Sequence, residues 1–199
     1  KRIMLSSFYY LGPLLFHTKV VNKDLNEIIK LCHKDENLNF RKSLAGHIED
    51  EFQIDYLKLQ SILNTYLNDF KNCYLNFYSR KIDFDVVSAW VNFMKAGEFN
   101  PIHTHDNCNL SAVLFVSMPD EIKQENINFK GNKNASNVAG PGELRFITSP
   151  PIQNFITEKN FLPADGDLFI FPHNLPHSVA PFKSKVERIS ISFNMKERI

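Results

Sequence analysis

Two histidines two positions apart, His103 and His105, lie in the stretch Asn100-Pro-Ile-His-Thr-His-Asp106. In extended backbone, residues i and i+2 project to the same face, so both imidazoles can enter one cavity while Thr104 points away. A third ligand from a distant strand would complete a facial set with open positions on the metal. Non-haem iron oxygen chemistry and catalytic zinc both require such a set. A second cluster, Phe171-Pro-His173-Asn-Leu-Pro-His177-Ser-Val179, offers two candidates for that third position. His177 precedes the apolar run Val179-Ala-Pro-Phe182 and is the preferred ligand. His173, among Pro and Asn, reads as a pocket-rim or solvent residue. A His-x-His pair alone is a weak signal, since loop histidines are often simply hydrogen-bonded. Two clusters, each at the end of a predicted strand in one small domain, make a stronger one.

A third element is Glu187-Arg-Ile-Ser-Ile-Ser-Phe-Asn194. Strand alternation puts Arg188, Ser190, Ser192 and Asn194 on one face and Ile189, Ile191 and Phe193 on the other. An arginine on the inward face of a β-barrel is costly unless it meets an anion. A guanidinium fork matches a carboxylate, and a serine two residues on adds a hydroxyl donor. A structural ion pair of Arg188 with Asp165 or Asp167 is an equal alternative at this stage.

The elements that must hold these residues can be read from pattern. The chain has 199 residues, 43% hydrophobic and 23% charged, which fits one globular domain and excludes disordered and collagen-like classes. Residues 1–81 read as a mostly helical N-terminal buttress and residues 82–199 as a β core. Asn22 or Asp24 can cap a short helix running through Leu25, Ile28, Ile29 and Cys32. Residues 55–78 carry apolar positions at three- and four-residue steps, predicting a long amphipathic helix capped by Asp55. Strands are predicted over 84–95, 109–117, 126–130, 143–148, 153–157, 167–171, 176–181 and 187–195, separated by Gly, Pro, Asn and Asp. Many short strands in so few residues predict a β-sandwich or jelly roll with helices packed on its outside.

Charge narrows the partners. With 23 Lys and Arg against 22 Asp and Glu, the net charge is +1, so no duplex nucleic acid or anionic membrane is expected. Three cysteines at wide spacings form no CxxC pair, which favours a reducing, cytoplasmic location. No apolar stretch approaches the ~18 residues of a membrane span. The apolar N-terminal run lacks a small-residue cleavage site and reads as a strand.

The ordered set Trp90-Val-Asn92, Gly97, His103-x-His105, Leu110-Ser-Ala-Val-Leu-Phe-Val116, Gly142-Glu-Leu-Arg-Phe146, Gly166-Asp-Leu-Phe-Ile-Phe-Pro172, His177-x-Val-x-Pro-Phe182 and Arg188-Ile-Ser-Ile-Ser-Phe-Asn194 resembles a known family. It is that of the small iron- and 2-oxoglutarate-dependent oxygenases of marine bacteria and their phages, relatives of the prolyl 4-hydroxylases. The resemblance covers residues 84–195 and is looser over Gly12-Pro-Leu-Leu-Phe16 and Ser43-Leu-Ala-Gly-His-Ile-Glu-Asp-Glu51. It implies a double-stranded β-helix (cupin-like jelly roll) with Fe(II) at its open end and 2-oxoglutarate and O2 as cosubstrates. His103 would match the family's first histidine and His177 its distal one. Arg188 and Ser190 would match the Arg-x-Ser pair that holds the far carboxylate of 2-oxoglutarate. Asn92 or Trp90 would line the cosubstrate pocket.

One departure stands out. The wider family has a carboxylate where this chain has His105. Either His105 ligates, giving a neutral three-histidine site, or Asp106 swings in to restore two histidines and one carboxylate. Strand alternation favours His105. A 2-oxoglutarate-dependent hydroxylase is therefore expected, host-cytoplasmic if phage-encoded, acting on a small molecule or a peptide, with a prolyl residue by family analogy. The 131–142 loop and the 118–128 segment are the expected acceptor pocket. The 55–78 helix could pack on the barrel or serve as a homodimer face. A non-catalytic jelly-roll module and a three-histidine cupin-type enzyme that does not use 2-oxoglutarate are the competing readings.

Overall fold

The computed structural model describes residues 7–10, 14–131, 138–148 and 158–198. Its elements in chain order are β1 (Ser7–Tyr10), β2 (Leu14–Lys19), α1 (Asn22–Ile29), β3 (Asp50–Gln53), α2 (Tyr56–Tyr78), β4 (Phe84–Met94), β5 (Asn100–His103) and β6 (Leu110–Ser117). They continue with α3 (Asp120–Gly131), β7 (Leu144–Ile147), β8 (Glu158–Phe161), β9 (Asp167–Pro172), β10 (His177–Val179) and β11 (Arg188–Glu197).

Alternating side chains in β4 and β11 make them antiparallel partners, with Asn92 opposite Ser190 and Trp90 opposite Ser192. They sit inside a seven-stranded sheet ordered β1-β2-β9-β6-β11-β4-β3. A four-stranded sheet ordered β5-β10-β7-β8 forms the second layer. Each residue of β11 between Arg188 and Asn194 therefore faces either the space between the layers or the outside of the large sheet.

Two apolar cores follow from that division. On the outside, Leu59, Leu63, Tyr66, Leu67 and Phe70 of α2 pack with Phe16, Phe84, Val91, Leu114, Ile191 and Phe193. Between the layers, Leu15, Phe115, Phe146, Phe169, Phe171 and Val179 form the second core. Burial of each such Leu or Phe stabilises the fold by roughly 1.5–3 kcal/mol. The apolar stripe of α2 thus packs on the sheet. Asp55 caps this helix as expected, its carboxylate accepting from the Lys58 N–H at 2.9 Å.

Several sequence expectations need correction. Helix α1 has Val21 at its cap position with no side-chain cap bond, and it ends at Ile29, short of Cys32. Asp24 instead accepts the Tyr66 hydroxyl at 2.6 Å, tying α1 to α2. Residues 126–130 belong to α3 and are not a strand; Ile122 and Asn126 are its buried side chains. The segment before residue 82 supplies β1, β2 and β3 to the large sheet, besides its helices. The expected strand at 153–157 lies outside the described residues. No helix is long and apolar enough to cross a membrane, among the described residues.

Candidate active site

β5 and β10 are antiparallel neighbours in the small sheet, and their register sets His103 directly opposite His177. Their rings lie 4.3 Å apart between centroids. His105 follows two residues after β5 ends. It is held by a pair of bonds with the second histidine cluster: its N–H donates to the His173 carbonyl at 2.9 Å, and its own carbonyl accepts from His173 Nδ1 at 2.7 Å. His173, expected at the rim, is thus the residue that fixes the main chain of His105. One potential ligand atom from each of His103, His105 and His177 lies within 4.8 Å of the other two.

The ring tautomers follow from the partners. His103 Nδ1 donates to the Pro101 carbonyl at 2.8 Å, and His177 Nδ1 donates to the Leu175 carbonyl at 2.9 Å. A carbonyl can only accept, so each Nδ1 carries the proton and each Nε2 presents a lone pair. His105 Nε2 comes within 3.3 Å of His177 Nε2. Burial, helped by the neighbouring imidazoles, pushes His177 down to about 3 and His105 to about 4, and burial also lowers His103. All three rings are therefore neutral near pH 7, the form that ligates metal. Phe171 and Phe146 wall His177, and Trp90 lies 6.1 Å from His105. This donor set fits a divalent transition metal. Asp106 is exposed and stands outside the cluster, so the geometry brings together the three histidines and not the carboxylate.

Arg188 opens β11, the strand paired on both sides by β4 and β6. It is 1% exposed, and its Nε and Nη1 have no hydrogen-bond partner. Its guanidinium stacks over Phe115 at 5.3 Å, and burial lowers its pKa to about 10. The structural ion pair weighed above does not form. Asp167 bonds His17, Lys19 and the Ala164 N–H, while Asp165 accepts from the Met118 N–H. A buried guanidinium with two idle donors calls for an anion from outside the chain. A carboxylate of a diacid fits that demand.

Arg188, Ser190, Asn92, Trp90 and the three histidines line one cavity of about 410 Å3, within the range of small-molecule sites. Asn92 donates from Nδ2 to the Ser190 carbonyl at 3.3 Å and to Ser192 Oγ at 3.2 Å, leaving Oδ1 without a partner. Residues 132–137 of the expected acceptor loop lie outside the described residues. No described residue of 118–142 lines the cavity; Phe40, Ser43–Gly46 and Glu51 do. A Cβ on Gly46 would run into the Asn100 side-chain amide, which would have to shift to make room. Phe40 and Glu51 had no assigned role because long-range pairing is what brings them to the cavity: β3 sets Glu51 opposite Asn92, and the Phe40 N–H donates to the Glu51 carbonyl.

Two layers, a histidine cluster at the open end and a buried arginine deep inside define the double-stranded β-helix of 2-oxoglutarate oxygenases. Solved structures share the fold. The prolyl-4-hydroxylase of Pseudomonas putida is 16% identical, with a TM-score of 0.58 and 93% of each chain covered. The viral collagen prolyl hydroxylase of Paramecium bursaria Chlorella virus-1, in complex with 2-oxoglutarate, is 13% identical with a TM-score of 0.52, covering 93% of this chain and 96% of that one. HygX of Streptomyces hygroscopicus, with nickel, 2-oxoglutarate and hygromycin B bound, is 10% identical with a TM-score of 0.54, covering 94% and 83%. A search of curated proteins returns no match. A family profile described as "Putative 2OG-Fe(II) oxygenase" matches residues 88–194. The chain belongs to this 2-oxoglutarate- and Fe(II)-dependent oxygenase family, whose usual metal set is two histidines and one carboxylate.

Proposed function

We propose that the protein is a 2-oxoglutarate-dependent hydroxylase that holds Fe(II) on His103, His105 and His177. The observation that carries this reading is Arg188: a fully buried cation with idle Nε and Nη1 donors, in the same cavity as three neutral imidazoles. Bound Fe(II) and 2-oxoglutarate supply oxidative decarboxylation to succinate and CO2, coupled through O2 to hydroxylation of a C–H bond. The chain's own residues bind and orient. The Nδ1 bonds of His103 and His177 fix Nε2 as the ligating atom, and the His173 bonds fix His105. Arg188 takes the far carboxylate of the cosubstrate, with the Ser190 hydroxyl as a further donor. Phe115 covers the guanidinium, and Trp90, Phe146 and Phe171 shield the imidazoles from water. The substrate is a small molecule or a peptide, and the prolyl-hydroxylase folds among the structural neighbours support a prolyl-type reaction.

The test is an anaerobic titration with Fe(II) and then 2-oxoglutarate, read by the visible metal-to-ligand charge-transfer band. The band is expected only with both present and is expected to vanish in His177→Ala. Iron bound without a band would instead favour a three-histidine enzyme that does not use this cosubstrate. No iron binding at all would leave a non-catalytic module.

A further inference from the structure

Among the described residues, Glu51 is the one acidic side chain of this cavity that is buried. It is 1% exposed, yet it lines the cavity, and its Oε2 has no hydrogen-bond partner. Register places it in a row that runs across the large sheet: Glu51 on β3, Asn92 on β4, Ser190 on β11 and Phe115 on β6. Asn92 Oδ1, its cross-strand neighbour, is likewise buried and unpartnered. Two idle acceptors thus stand side by side at one end of the row, while the two idle donors of Arg188 lie next to its other end. Leaving a buried acceptor unsatisfied is costly, so this end of the cavity is built to receive a donor from a ligand.

That ligand group is a cation. Burial pushes the Glu51 carboxyl up to about 7; Glu98 adds to the rise and Arg41 opposes it. A carboxyl so poised is drawn fully into its charged form by a cation, whereas the anionic cosubstrate would be repelled. The adjoining wall is aromatic. Phe40 and Trp90 lie 5.6 Å apart between centroids, Trp90 continues to His105, and the Phe40 N–H bonds the Glu51 carbonyl at 2.8 Å. Aromatic faces beside a buried carboxylate favour ammonium and guanidinium groups. Phe40 and Glu51 also lie outside residues 88–194, which match the family profile.

We infer that Glu51, with Asn92 beside it and Phe40 and Trp90 as walls, is the substrate-recognition subsite, and that it selects a primary substrate bearing a cationic nitrogen. This rests on the oxygenase reading above. Substrate would enter with its ammonium or guanidinium on Glu51 and the C–H bond to be attacked toward the histidine cluster.

The test uses the anaerobic protein loaded with Fe(II) and 2-oxoglutarate. Its probes are n-alkylammonium ions from propyl to hexyl, each paired with the alcohol of equal length. Binding is read by calorimetry and by perturbation of the charge-transfer band. At least one ammonium should bind about ten-fold tighter than its alcohol, the scale of one charge-assisted hydrogen bond. Glu51→Gln should cut that preference to about two-fold or less. Equal binding of each pair, a preference that survives in Glu51→Gln, or no alkylammonium bound at millimolar concentration would overturn the inference. The comparison of ammonium with alcohol needs only the unaltered chain, so it decides even if Glu51→Gln does not fold. If the band itself never forms, the oxygenase reading has failed; if it forms and no cation is preferred, only this subsite has.

Discussion

Replacing Arg188 by Met should separate stability from function. Arg188 presents two unpartnered donors, and each bond from a charged donor contributes about 1.5–3 kcal/mol. Losing both removes about 3–6 kcal/mol of cosubstrate binding, a loss of roughly 10²- to 10⁴-fold. The ligand-free protein should respond in the opposite sense. Exchanging an uncompensated buried charge for an apolar side chain of similar length gains about 1–4 kcal/mol. The lost stacking on Phe115 takes back about 0.5–2 kcal/mol. The midpoints of these ranges leave a net gain of about 1 kcal/mol, so at about 2–4 °C per kcal/mol for a domain of this size Arg188→Met should raise Tm by roughly 2–5 °C. Saturating 2-oxoglutarate should then invert the order, since it stabilises only the chain that binds it. Calorimetric titration of the anaerobic Fe(II) form gives the affinity, and scanning calorimetry gives Tm. Cosubstrate affinity within about three-fold of the original, or a fall of several degrees in Tm, would refute the claim that this guanidinium waits for an external anion.

Three further outcomes are expected. His105→Ala should abolish tight Fe(II) binding while Asp106→Asn leaves it unchanged, because Asp106 is exposed and outside the cluster; equilibrium metal titration distinguishes the two ligand sets. His173→Ala should weaken Fe(II) by about 10-fold or more without removing a ligand, the usual effect of losing a residue that orients one. Glu51→Gln should change the pH dependence of stability. The folded pKa of about 7 lies above the ordinary carboxyl value of 4.5, so the folded state holds the extra proton between these values and loses stability as pH rises through that window. Denaturant unfolding should therefore show the variant gaining on the original chain from pH 4.5 to 7 and a constant difference above it.

The β half was legible because its signals are local. Alternation alone placed Arg188, Ser190, Ser192 and Asn194 on the cavity face, and the stripe of α2 and its Asp55 cap were equally plain. Helix α3 was not. Asn126-Ile-Asn-Phe-Lys130 alternates polar and apolar residues as a strand would, and only Ile122 and Asn126 are buried, so no helical stripe competes. Asp24 looked like a cap because the sequence does not show that Tyr66 claims its carboxylate. Glu51 was hidden for a deeper reason. It stands in the acidic run Glu49-Asp-Glu51, which reads as a solvated face, and its burial depends wholly on β3 joining β4 from a distant part of the chain. The bond from His173 to His105 was not legible because its partner is a main-chain carbonyl, which residue types do not encode.

The two ends of the proposed cosubstrate site belong to different layers. His103 and His177 ride on the small sheet and Arg188 on the central strands of the large one. A diacid gripped at both ends, as proposed above, would therefore be a strut between layers, its length a gauge of their spacing. Dicarboxylates one carbon shorter or longer would have to tilt or release one grip, so the fold itself would act as a ruler for the cosubstrate. The same strut would tie two separately hydrogen-bonded sheets into one mechanical unit, with the Phe40–Glu51 wall fastened to its large-sheet side through β3.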